Sequence, residues 1–523
     1  MARAEHFVEL LGVAALVILP GGYLLAWLLR RRRLRWSWGL LGLPCTYVAL
    51  GSRLFGLPLY AACLLACALG ASWHHQDLDQ GADYAEAARA RLRMRDVLVR
   101  ALRKRRVRRE GWVSKGRLVL GEDTRGMPVS IPVGYASGSH TLLLGATGSG
   151  KTVSAAWIAC RLIEVGHGAV VIDPKGDQML REELRGSAAA RGARFMEWTP
   201  EGPLAYNPYA SGSETEIADK ALSGETFTEP HYLRQAQRYL GHAVRAMQAA
   251  GEEVTPVSLM AALEPDQLEV LSRRLPQDQA EQTQRYLDSL SERQRRDLGG
   301  VRDRLSILAE SDARAWLDPG EGRGLLDIER AVRDRAVVYF RLDADRRPLL
   351  TAMLAASIVS DLVALVARLQ SEPTPTVVMI DEFSALAAEH VARLFGRARS
   401  AGISLILGTQ ELADLKAGNE GALKEQTLGN VATVIAHRQN VPESAELIAA
   451  MAGTSPQWIT TQQTELALFG SEHSGRGSRR RGYEFEIHPS QIKKLQTGRA
   501  VVITPGSGRA VVARIYRLTR ANR

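Results

Sequence analysis

TLLLGATGSGKT, residues 141–152, is the stretch that decides the fold. Thr141 to Leu144 read as a short buried strand, and Val153 to Arg161 read as a helix. Between them, Gly145-x-x-x-x-Gly150-Lys151-Thr152 has the P-loop spacing. Glycines in that pattern let successive backbone N–H groups turn inward around a phosphate, while the following helix presents its N-terminus. Gly145, Thr147, Gly148, Ser149 and Gly150 would form the cradle for ATP, and Lys151 would neutralise the β and γ phosphates. The Thr152 hydroxyl would ligate Mg²⁺, which takes octahedral oxygen ligands and keeps several waters.

Phosphoryl transfer of this kind needs acids facing the metal and the attacking water. VVMIDE, residues 377–382, offers two of them at the tip of an apolar strand. Asp381 would hold Mg²⁺ through water, and Glu382 would act as general base. The next strand, Ile403 to Gly408, ends in Thr409-Gln410, so the Gln410 amide would orient water or register hydrolysis. The intervening helix carries Arg393, Arg397 and Arg399. Any of these could serve a neighbouring subunit's nucleotide in a ring, and any could simply be solvated. DPKGD, residues 173–177, is a charged turn on the same sheet edge; Pro-x-Gly turn chemistry accounts for it in its own right, which leaves its residues, Lys175 among them, as secondary candidates.

Further apolar runs at 169–173, 336–342 and 432–437 alternate with helical spacing, which predicts a mostly parallel sheet covered on both faces and binding ligands at its carboxyl edge. Residues 211–330 are rich in Ala, Leu, Gln, Arg and Glu with helical periodicity. The expected architecture is therefore α/β: a RecA-like P-loop NTPase domain from 111–210 and 331–523, with an all-α insertion domain at 211–330.

The N-terminus reads differently. Residues 7–29 are long and apolar enough to cross a bilayer as a helix, and the apolar stretch 38–73 is divided by Arg53. A transmembrane anchor at 1–75 with two or three transmembrane helices follows; three would keep both Arg clusters on one side. Residues 76–110 form a basic juxtamembrane stretch suited to anionic membrane lipid or to DNA. Residues 1–110 hold 18 Lys or Arg against 8 Asp or Glu, a surplus that equals the chain's whole net charge of +10. The motor body is therefore formally neutral, and overall basicity says nothing about DNA binding there. Cys45, Cys63, Cys67 and Cys160 have no metal-ligand spacing and read as buried thiols.

Taken in order, SHTLLLGATGSGKT, VVIDPKGD, YNPYA at 206–210, the helical insertion, VVMIDEFSAL, GRARSAGISLILGTQELADL, GNVATVIAHRQNVPESAELIAAMAGT and FEIHPSQIKKLQTGRAVVI resemble the type IV coupling proteins of conjugation and type IV secretion. These are the TraD/TraG-like branch of the FtsK and HerA motor superfamily. The resemblance implies a homo-hexamer on the cytoplasmic face of the bacterial inner membrane that hydrolyses ATP. It would pass relaxase-bound single-stranded DNA from a relaxosome into a type IV secretion channel. It also implies that the arginine acting in trans lies just before the Gln-bearing strand, where Arg399 aligns, and that the insertion is the membrane-distal domain. A third span would depart from the family's usual two, and the chain ends at Arg523 without the long acidic tail of some members. Two rivals are a double-stranded DNA pump of the FtsK type and an ATP-binding membrane receptor with little hydrolysis. Too few residues follow 485 for the first one's winged helix, and intact Lys151, Asp381, Glu382 and Gln410 speak against the second.

Overall fold

The computed structural model describes residues 109–519 apart from 135–138, 224–228, 319, 321–322, 387, 417–421, 468–469 and 505–508, together with 101, 105 and 107. The expected membrane spans, and nearly all of the basic stretch after them, lie outside the described residues.

Three short strands open the described chain: β1 (Val113–Ser114), β2 (Arg117–Asp123) and β3 (Pro128–Pro132). Seven parallel strands then build the centre of a 12-stranded sheet. They are β4 (Thr141–Leu144), β5 (Gly168–Asp173), β6 (Phe195–Trp198), β7 (Val337–Arg341), β8 (Thr376–Ile380), β9 (Ile403–Thr409) and β10 (Thr433–Ala436). Their spatial order is β10-β4-β9-β8-β5-β7-β6. β4, β5, β8, β9 and β10 are buried along their whole length, as a sheet with both faces covered requires.

β11 (Thr454–Ala467) and β12 (Gly470–Phe485) then form a separate two-stranded sheet. β13 (Arg499–Thr504) and β14 (Arg509–Ile515) return to the main sheet, where β13 pairs antiparallel with β10. The parallel expectation thus describes the centre, and one flank is antiparallel. Within that flank β1 with β2 and β13 with β14 are close enough in sequence for a short connection to pair them antiparallel, whereas parallel neighbours need a crossover. β13 itself reaches β10 only after the separate two-stranded sheet.

Helix Pro348–Leu369 is the one described helix long and apolar enough to span a bilayer, yet Leu354, Ile358, Leu362 and Leu365 place it in the core. Between 211 and 330 the described residues form helices and their connections, the longest helices being Pro230–Ala250 and Glu292–Ala309, with one isolated bridge from Leu325 to Ala205. Three of these helices start on reciprocal capping boxes, Ser213 with Glu216, Thr255 with Ser258 and Ser291 with Gln294, each of which satisfies two otherwise orphaned N–H groups. Tyr239, Leu240 and Val244 share one continuous core with Phe340, Leu354 and Ile358. A buried ion pair joins helix Glu214–Leu222 to helix Pro348–Leu369: Lys220 Nζ lies 2.8 Å from Asp361 Oδ1, and the Tyr206 hydroxyl donates to Oδ2 at 2.7 Å.

Candidate active site

β4 ends at Leu144, and helix Lys151–Glu164 begins seven residues later. Two glycines make the intervening loop possible. Gly150 sits at φ 108°, a conformation L side chains rarely adopt. At Gly145 a Cβ would lie 2.5 Å from Ser149 Oγ and 2.8 Å from His437 Cβ. Neighbouring strands then pin the loop. The Gly145 N–H donates to Gln410 O at 3.1 Å, the Ala146 N–H to Arg438 O at 3.1 Å, and the Gly498 N–H to Ser149 O at 3.0 Å. The Thr497 hydroxyl donates to Gly148 O at 3.2 Å. Ser149 Oγ is buried with no partner among the described residues, an orphan that suits a cradle awaiting anionic oxygens.

Sheet order brings the acids to this loop. β9 lies between β4 and β8, with Leu144 opposite Thr409 and Ile380 opposite Leu407. Gln410 and Asp381-Glu382 therefore emerge beside the P-loop. Lys151 Nζ lies 2.9 Å from Asp381 Oδ1 and 3.0 Å from Glu382 Oε1. The Gln410 amide donates to the same Glu382 oxygen at 3.2 Å. Thr152 follows Lys151 in the first helical turn, half-buried. Gly408 has no room for a side chain, because a Cβ there would strike Asp381 Oδ1. Glu382 itself sits at φ 49°. Left-handed backbone at a non-glycine residue costs about 1 kcal/mol and persists where surrounding structure holds it.

A residue that stood only as a secondary possibility in the sequence also converges here. Lys175 Nζ lies 2.8 Å from Glu382 Oε1. Its turn is locked by Asp173, whose carboxylate accepts the N–H groups of Lys175, Gly176 and Asp177 at 2.9, 2.9 and 2.7 Å and the Tyr339 hydroxyl at 2.6 Å. Burial pushes the Glu382 carboxyl up, but the Lys175 hydrogen bond and the Lys151 charge outweigh it and hold the group below its usual range. The available signal was that DPKGD ends a strand; only the β5–β8 pairing shows which acid it faces.

His437 is the other residue that sequence reasoning missed. Its Nε2 lies 2.9 Å from Ser154 Oγ on the P-loop helix, and its Nδ1 lies 3.0 Å from Arg499 O. Burial lowers its pKa to about 4, so the imidazole is neutral when it braces the loop.

Arg393, Arg397 and Arg399 are exposed. Arg399 precedes β9, whereas Gln410 follows it. A strand of that length at about 3.3 Å per residue puts roughly 20 Å between the two edges. The structure therefore does not bring Arg399 to the Lys151 of its own chain.

Comparison with known proteins bears on the family and the fold. A family profile described as the type IV secretion-system coupling protein DNA-binding domain matches residues 127–515. Among solved structures, the unbound bacterial conjugative coupling protein TrwBdeltaN70 is similar at 16% identity, with 80% of this chain and 92% of that one covered and a TM-score of 0.54. The plasmid coupling protein TrwB in complex with ADP and Mg²⁺ is similar at 17% identity, with 80% and 92% covered and a TM-score of 0.54. VirB4 of Thermoanaerobacter pseudethanolicus is similar at 16% identity, covering 79% and 99%, with a TM-score of 0.51. At these identities the likeness is one of fold. No match is found among curated protein sequences.

Proposed function

The chain belongs to the type IV secretion-system coupling protein family, and from that premise we propose that it is a P-loop ATPase that drives single-stranded DNA toward a secretion channel. One observation carries the reading: Lys151, Lys175 and Gln410 converge on a single oxygen of Glu382, with Asp381 2.9 Å from Lys151. Two lysines, two carboxylates and an amide at the mouth of a glycine loop are the groups phosphoryl transfer needs.

The residues fit Mg²⁺-ATP. The cradle is closed to a side chain at Gly145, Ser149 Oγ is an unused donor, and Thr152 and Asp381 offer oxygens of the kind Mg²⁺ prefers. When bound, Mg²⁺-ATP supplies the phosphoryl group and a divalent charge. The backbone of Gly145 to Gly150, Thr147 included, and the Lys151 ammonium would hold the phosphates. Glu382, kept ionised by its two lysines, would accept a proton from water, and Gln410 would orient that water. In a homo-hexamer Arg399 would supply charge to the neighbouring subunit's site.

The remainder of the proposal follows the family: anchoring of residues 1–75 in the bacterial inner membrane with the motor in the cytoplasm, and a relaxase-bound strand and channel components as partners. The test is Glu382→Gln beside Lys151→Ala in the full chain. Glu382→Gln is expected to retain nucleotide and lose about 10² to 10⁴ in turnover, while Lys151→Ala loses turnover and DNA transfer in a mating assay. Normal transfer by the lysine variant would end the motor reading.

A further inference from the structure

β11 and β12 form a ribbon of 14 and 16 residues that stands apart from the main sheet. Its register pairs Thr454 with Phe485, Pro456 with Tyr483 and Trp458 with Arg481. Side chains alternate along a strand, so these six share one face. All six are exposed, with Trp458 at 57% and Tyr483 at 77% of their full accessibility. On the interleaved face Ser455, Gln457 and Gly482 are half-buried while Arg480 and Glu484 are exposed, so the face with the rings is the more open of the two. A lone hairpin is marginal in water, and clustered exposed rings mark an interaction surface.

The chemistry of that face narrows the partner. Arg481 stands directly across from Trp458, whereas exposed Arg480 pairs with Ile459 and belongs to the reverse face. Glu484 pairs with Ser455 and so belongs to the reverse face. Three rings and a guanidinium with no carboxylate among these six match a planar, anionic partner. Unpaired bases on a phosphate backbone have both properties. A duplex keeps its base faces stacked inside and offers the rings nothing to stack on.

We propose that the Trp458, Tyr483 and Phe485 face of this ribbon, with Arg481, is a stacking platform for single-stranded DNA. The inference rests on the DNA-handling reading above and supplies it with a contact surface outside the P-loop.

The experiment is a fluorescence titration of the full chain in detergent with labelled oligo(dT), repeated on Trp458→Ala/Tyr483→Ala and on Trp458→Phe. The double alanine variant is expected to bind about 100-fold more weakly, on a stacking contribution of roughly tenfold per ring. DNA-independent ATP turnover and oligomeric state should stay unchanged, and Trp458→Phe should bind like the parent. Equal affinity of the parent and the double variant overturns the platform while leaving the DNA reading in place. A parent chain that does not bind oligo(dT) removes that reading and the platform with it. Loss of assembly in the double variant overturns the proposal by assigning the face to a second copy of the chain.

Discussion

Lys175 places its Nζ 2.8 Å from Glu382 Oε1, the same oxygen that Lys151 reaches at 3.0 Å. The two ammonium groups oppose the desolvation that would otherwise raise the Glu382 pKa. Lys175→Met is therefore expected to move the acid limb of the kcat/KM profile to higher pH and to lower turnover at pH 6 to 7, with nucleotide binding kept. Lys175→Arg should restore much of both. The pH profile of ATP turnover checks this, and an unmoved acid limb in the methionine variant would count against it.

Arg399 lies at the amino end of β9 and Lys151 beyond the carboxyl end of β4, on opposite edges of one parallel sheet. Arg399→Ala should accordingly leave nucleotide binding by isolated subunits unchanged and lower turnover of the assembled protein by about a thousandfold. Undiminished turnover in the assembly would shift the role to Arg397 or elsewhere.

The Lys220–Asp361 pair is buried, and burial pushes the Asp361 carboxyl upward against the pull of Lys220. Lys220→Met strands Asp361 without its cation and should cost about 3 to 5 kcal/mol. Lys220→Met with Asp361→Leu should recover most of that loss. Denaturant unfolding of the three proteins measures it, and equal midpoints would show that the pair does not join the helical segment to the motor core.

His437, His140, His167 and His242 each have a pKa lowered from 6.5 to about 4, with burial the leading cause. The unfolded chain takes up these protons near pH 6.5, while the folded chain resists until about pH 4. Stability is fully present above pH 6.5 and falls as pH drops toward 4. His437→Gln should show a shallower decline in thermal midpoint over that window; an identical slope would exclude His437 from the effect.

Much of the site was legible because its chemistry is local. Gly145, Gly150, Lys151 and Thr152 fall within eight residues, and the loop geometry imposes their spacing directly. Asp381 and Glu382 could be read because an apolar run ending in acids is how a buried strand meets solvent. Lys175 was harder, since its turn has a sufficient local explanation and its partner is 207 residues away. His437 looked like any residue at a strand end until β10, β13 and the P-loop helix closed around it. The second strand of the ribbon, GSEHSGRGSRRRGYEF, carries no apolar alternation to announce a strand.

By itself the sequence determined a glycine-rich loop, a lysine, two acids at a strand end and an α/β chain to carry them, because each follows from spacing along a few residues. Only the tertiary structure decided who meets whom. Placing β9 between β4 and β8 set Gln410 on Glu382, pairing β5 with β8 added Lys175, and the length of β9 separated Arg399 from its own P-loop. Strand order is a non-local property, fixed by which apolar faces can be buried together, and no local spacing encodes it.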